Sequence, residues 1–221
     1  MGIRDWLIRQ SLSDRRSGSL ASRLRYRRWR LIQTLLNLNG TESVLDVGGT
    51  DVSWWFVEWK GPVVRCNLEF TTKDSGLRVL GNGCDLPFPD KSFDIAFSNS
   101  VIEHLSTFDA QQRFGEELRR VGRRFFVQTP NWWFPIEPHY LFPFFQFLPV
   151  ATQRWLHTHF DVGTFKKSDP FGTIRLLTKY ELASLFPKAR IVPERLGPLV
   201  KSWYALSPTE AIPSDDPEHR R

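Results

Sequence analysis

Residues 43–50, Ser-Val-Leu-Asp-Val-Gly-Gly-Thr, constrain the fold more than any other stretch. Val44, Leu45 and Val47 form a short apolar run, and Gly48 and Gly49 stop it. An apolar run closed by glycine reads as a buried strand ending in a tight turn. Asp46 sits inside that run, and a carboxylate there needs a partner because burying it unpaired is costly. Glycines directly after a strand have no Cβ, so a ligand can lie against the backbone. The stretch reads as one wall of a nucleotide-type pocket at the C-terminal end of a parallel sheet.

The rest of the chain alternates strand and helix around this element. Strands are expected at 43–47, 62–67, 77–80, 95–98 and 123–128. A first helix is expected from Ser22, with Leu24, Leu31, Leu35 and Leu38 near one face and Trp29, Ile32 and Leu36 widening it. A short helix is expected at Thr50–Lys60 and a longer one at Ala110–Val121. Thr178 and Glu181 make a capping box that starts another. Strands at 189–196 and 199–206 are joined by Gly197-Pro198, a link short enough for a hairpin. The expected fold class is α/β: a mostly parallel seven-stranded sheet with helices on both faces and a terminal antiparallel hairpin.

Composition adds limits. At 221 residues, one domain is expected, with a basic arm at 1–21, the domain at 22–206 and a disordered tail at 207–221. Residues 1–30, the arm and the start of the first expected helix, hold nine arginines and two aspartates, so the net charge of +6 lies in this N-terminal stretch and not in the rest of the chain. Such an arm is either a solvated helix face or a contact for an anionic surface. Cys66 and Cys84 form no disulfide framework and no metal-ligand spacing, and no metal is expected. Without a secretory segment, the expected compartment is the cytoplasm, with association at a membrane surface as an option.

Residues 132–170 break the alternation, and Trp132 to Phe145 is the most apolar part of the chain. Prolines and Glu137 interrupt it, which argues against a membrane span. The expectation is an aromatic cap inserted after the fifth strand and closing over a substrate. A membrane-surface patch is the rival, since Trp and Tyr suit that boundary.

Leu-Asp-Val-Gly-Gly-Thr at 45–50 lacks the Gly-x-Gly-x-x-Gly of a dinucleotide site. It resembles the first motif of class I S-adenosylmethionine-dependent methyltransferases. Asp-Leu-Pro-Phe-Pro-Asp-Lys-Ser-Phe-Asp at 85–94, then a strand and Glu-His-Leu at 103–105, is similar to a second stretch of the type 11 branch of that family. The resemblance covers about residues 40–206 and implies S-adenosylmethionine as cofactor. By that resemblance Asp46 would hold the methionine amino group, with Gly48, Gly49 and Thr50 along the backbone. Asn67 or Glu69, around Leu68, would hold the ribose diol. Asp85, with Leu86, would stand near the adenine amine. Ser98 and Asn99 end the fourth strand at the same crevice.

Methyl transfer from a sulfonium needs alignment and exclusion of water, and a base only where the acceptor keeps its proton. His104, just after the fourth strand, is the first candidate base. Glu137 and His139, two apart in the insertion, are the second. The expected acceptor is a small molecule, or a sugar or lipid-linked intermediate, with peripheral contact to anionic membrane through the arm. Nucleic acid is the weaker partner, because no Asn-Pro-Pro-Tyr or Pro-Cys motif is present. The rival functions are a nicotinamide-dependent oxidoreductase and a non-catalytic binding protein of the same fold.

Overall fold

Four parallel strands form the heart of the sheet: β1 (Val44–Val47), β2 (Val63–Asn67), β3 (Leu77–Leu80) and β4 (Phe93–Asn99). The computed structural model describes residues 20–50, 54, 58–71, 75–172 and 174–208. The arm through residue 19, most of the helix expected at Thr50–Lys60 and the tail beyond 208 lie outside the described residues. β5 (Gly122–Pro130), β8 (Arg190–Leu196) and β9 (Leu199–Leu206) complete a seven-stranded sheet of order β3-β2-β1-β4-β5-β9-β8. The last strand lies antiparallel between β5 and β8. Gly197, at φ +59°, makes the tight reversal that this hairpin requires.

β1 is buried along its whole length because both faces of the sheet are covered. Leu45 and Val47 face a cluster with α2 (Phe108–Val121) and α4 (Lys179–Leu185). Val44, with Ile95, Phe97 and Phe126, faces α1 (Leu20–Leu35). Thr107 caps α2 by accepting from the Ala110 N–H, which starts the helix two residues before the expected Ala110. The capping box at Thr178 and Glu181 forms as expected.

The buried face of α1 is a narrower part of the expected one. Trp29, Ile32 and Leu36 are buried, whereas Leu31 is exposed and Leu35 and Leu38 are half-buried. The cause is an aromatic nest: Trp29 meets Trp54, Trp59 and Phe97 edge to face, at 4.9, 5.3 and 5.6 Å. The area that these rings bury turns the helix toward them.

The insertion after β5 has its own small core of Tyr140, Phe145 and Val162. It comprises a two-residue ladder of β6 (Ile136–Glu137) with β7 (Phe142–Pro143), and α3 (Val150–His159). α3 was not expected from the sequence, because its buried residue is His157 and its apolar positions show no helical stripe. No described helix is long and apolar enough to cross a membrane.

A partly buried ion pair ties α1 to the terminal hairpin. Arg28 donates to both Glu194 carboxylate oxygens, with Nη2 at 2.9 Å from Oε2. Its other nitrogens reach Tyr204 Oη, Gln128 and Asn99. Removing one partner of a partly buried pair leaves the other charge poorly solvated. We predict that Glu194→Gln lowers unfolding free energy by about 1–2 kcal/mol in urea denaturation. A change below about 0.5 kcal/mol would show that the pair does not anchor α1.

Candidate functional site

The turn after β1 has no room for side chains. Gly48 lies at φ +79°, and a Cβ there would sit 2.4 Å from Val101 Cγ2. A Cβ on Gly49 would sit 1.7 Å from Asp46 Oδ2. The Gly48 N–H donates to the Cys66 carbonyl at 2.9 Å, and Asn67 Nδ2 donates to the Gly49 carbonyl at 2.9 Å. The ends of β1 and β2 therefore fix the turn at the carboxyl edge of the sheet.

A cavity of about 330 Å³ opens at that edge, within the size range of small-molecule sites. Gly48, Asn67, Leu68, Glu69 and His104 meet in its wall. Asn67 and Glu69 both face it, so both remain candidates for a ribose diol. Gly81 to Gly83 and Val101, Leu105 and Phe114 complete the wall. Sequence reasoning passed over them, although Gly81 and Gly83 carried a signal. A Cβ at either would press within 2.7 Å of Cys66 Sγ or 2.6 Å of Phe114.

Other expected residues stand beside the cavity and outside its wall. Gly49 and Thr50 follow the turn without lining the cavity. Asp85 is exposed, with its N–H donated to the Asn82 carbonyl at 2.9 Å. Leu86 is core, and its N–H donates to Glu117. Ser98 is buried with its hydroxyl on the Val47 carbonyl at 3.1 Å, and Asn99 accepts from Arg28.

Asp46 is fully buried beneath Gly49 rather than lining the cavity. Trp54 Nε1 donates to Oδ2 at 2.7 Å, while Oδ1 has no hydrogen-bond partner among the described residues. Burial pushes its pKa up to about 7, against the Trp54 hydrogen bond and the charge of Arg65.

A second polar group adjoins the cavity. His104 opens onto it, and His139 stands behind with its ring 4.9 Å away, edge to face. Glu137 holds His139 Nδ1 at 2.7 Å and accepts from the His139 and Tyr140 N–H groups. The insertion thus carries its expected pair to the expected histidine, although only His104 reaches the cavity wall. Burial, then the charge of His139, lowers the His104 pKa. Burial opposes the charge of His139, but the Glu137 hydrogen bond and the charges of Glu137 and Glu103 outweigh it and raise its pKa. Glu103 was not singled out from the sequence, where it sits beside apolar Val101 and Ile102 with nothing to mark it as buried. It is fully buried, and burial pushes it up to about 7.

The Asp46 shift has a measurable consequence. The folded chain holds that proton more tightly than the unfolded chain, so the stability it gives is full below about pH 4 and is lost as pH rises through 7. Asp46→Asn lacks this loss, while Glu103 still titrates in both proteins. We predict that wild type loses on the order of 2–4 kcal/mol relative to Asp46→Asn between roughly pH 5 and 8, measured by urea unfolding. Parallel curves would show that the carboxylate is not held protonated.

Comparison with known proteins follows the same division into fold and site. A family model described as a methyltransferase domain matches residues 59–124. An uncharacterised protein of Mycobacterium tuberculosis, found in strains H37Rv and CDC 1551, is 35% identical over 88 residues. That match covers 40% of this chain and 29% of the relative's length. Among solved structures, the PH0226 protein of Pyrococcus horikoshii aligns with a TM-score of 0.55 at 15% identity, over 93% of this chain and 98% of the other. A S-adenosylmethionine-dependent methyltransferase of Clostridium acetobutylicum aligns at 0.54 with 8% identity, over 92% and 96%. The 1,6-didemethyltoxoflavin-N1-methyltransferase of Burkholderia thailandensis, with S-adenosylhomocysteine bound, aligns at 0.52 with 16% identity, over 85% and 77%. At such identities the structural likeness concerns the fold. Residues 59–124 thus carry a methyltransferase-domain match, and the fold, with its one reversed strand, is shared with these solved structures.

Proposed function

We propose that the chain transfers the methyl group of S-adenosylmethionine to an oxygen of a small-molecule, sugar or lipid-linked acceptor. The observation that carries this reading is that His104 lines the same cavity as Gly48, Asn67 and Glu69, with the His139–Glu137 pair directly behind it. The cofactor would lie along the Gly48–Gly49 backbone, with its ribose toward Asn67 or Glu69. Thr50 would serve its methionine portion, while Asp46, buried beneath Gly49, would act on it by fixing the turn. The adenine would point toward Gly81 to Leu86, with Asp85 at its outer edge. Ser98 and Asn99, held by Val47 and Arg28, would keep the end of β4 in place.

The reaction is an in-line displacement. The acceptor oxygen forms a bond to the methyl carbon as the carbon–sulfur bond breaks. The electron pair goes to sulfur and gives the neutral thioether S-adenosylhomocysteine. The acceptor proton goes to the His104 imidazole, and Glu137, through His139, keeps the group oriented. Alignment and the exclusion of water supply most of the rate.

A lipid-linked acceptor has a specific observation in its favour. Trp133, Phe144 and Phe147 are exposed on the insertion, and the rings of Trp133 and Phe144 pack on Phe147. Exposed aromatic groups of this kind suit a membrane boundary. They also depart from a cap closed entirely on itself.

The test is turnover with S-adenosylmethionine and a panel of sugar, phenol and polyprenyl-linked hydroxyl acceptors, read by mass spectrometry. For an accepted substrate, His104→Ala should lower kcat about 10²- to 10⁴-fold with S-adenosylhomocysteine affinity unchanged. A kcat within about threefold of wild type would remove His104 from the chemistry.

A further inference from the structure

Glu103 does nothing in the mechanism above, yet it is a fully buried carboxylate beside the two histidines. Thr129 Oγ1 donates to its Oε2 at 3.2 Å, while Oε1 has no hydrogen-bond partner among the described residues. A buried carboxylate oxygen without a partner is costly, and native structures rarely keep one without a reason. One donor atom each from Glu103, His104 and His139 lies within 4.8 Å of the others.

We propose that Glu103, His104 and His139 bind one divalent transition-metal ion of the zinc type at the inner wall of the cavity. The donor chemistry favours such an ion. Two imidazoles and one carboxylate, with no thiolate, suit zinc and its first-row neighbours better than magnesium or calcium. His139 Nδ1 is committed to Glu137, which leaves Nε2 for an ion. A carboxylate on the far nitrogen of a metal-bound histidine is a recurring second layer, because it fixes the ring and raises its basicity. Thr129 orients Glu103 in the same way. A tetrahedral zinc ion with bonds of about 2.0 Å sets its donors about 3.3 Å apart, so the three side chains must draw in slightly. His104 opens onto the cavity, so a fourth position would face the cavity and remain free for a ligand.

Donor spacing does not mark this site, because its donors lie at 103–104 and 139 and only the insertion brings them together. The use of the ion in catalysis rests on the function proposed above. Bound there, the ion would occupy His104, so the base role proposed above belongs to the ion-free chain; the ion would instead lower the pKa of an acceptor hydroxyl as a Lewis acid, with the proton leaving to water at the cavity mouth. Binding of the ion does not rest on that function.

The test uses the full chain stripped with a chelator. It is titrated with Zn²⁺ by calorimetry and with Co²⁺ by visible absorption. The expected result is one ion per chain, bound at least about tenfold more weakly by Glu103→Gln and by His139→Ala. His159→Ala and Cys84→Ser, which change groups outside the cluster, should bind as wild type does. Should the cluster variants not fold, the wild type still decides the matter: Co²⁺ should shift the His104 and His139 ring resonances before any other histidine. Absence of binding, binding unchanged in Glu103→Gln, or shifts confined to other histidines would overturn the site. Titration of the stripped chain with S-adenosylhomocysteine is read separately. Cofactor binding without ion binding sinks the ion site alone, and ion binding without cofactor binding sinks the methyl-transfer reading alone.

Discussion

The site depends on a carboxylate buried where the central strand ends. Asp46 has no exposure, and Gly49 passes so close above it that no side chain fits between them. That contact requires glycine, sets the turn, and leaves Gly48 pressed against Val101. Among the described residues Trp54 supplies a hydrogen bond to the carboxylate, and the same ring belongs to the aromatic nest that holds α1. The acid, the turn and the first helix are thus one packed unit. Asn67 extends that unit to β2 by holding the Gly49 carbonyl.

Much of the fold was legible because each element carried its own local signal. The five parallel strands were short apolar runs with glycine or polar ends. The hairpin could be read from Gly197-Pro198 between two alternating segments. The order of its strands could not, because nothing local to residues 189–206 says that the last strand enters between β5 and its own partner. α1 is legible, but its buried face is narrower than its leucines suggest: Leu31 drops out because Trp54, Trp59 and Phe97, distant in sequence, draw Trp29 inward.

The site divides along the same line. Gly48, Asn67, Glu69 and His104 follow strand ends, and strand ends converge by topology alone, so motif position located them. Ser98 and Asn99 also stand at a strand end, but a carbonyl and Arg28 claim their polar groups, and Asp85 stands exposed beside the cavity. Which partner wins is a matter of packing, and spacing does not encode it. The insertion shows this most clearly. Glu137 and His139 read as a pair on an extended segment, and the structure keeps them paired. Their approach to His104 and Glu103 depends on the small core around Tyr140 and Phe145, which closes the insertion onto the start of the Glu-His-Leu segment.

The cavity at the ends of β1, β2 and β4 is the proposed cofactor site. Calorimetric titration of the full chain with S-adenosylhomocysteine is the direct test. Saturable one-to-one binding is expected, weakened when Gly48→Ala presses a Cβ against Val101. No heat and no rise in melting temperature, in a chain that still unfolds cooperatively, would contradict it.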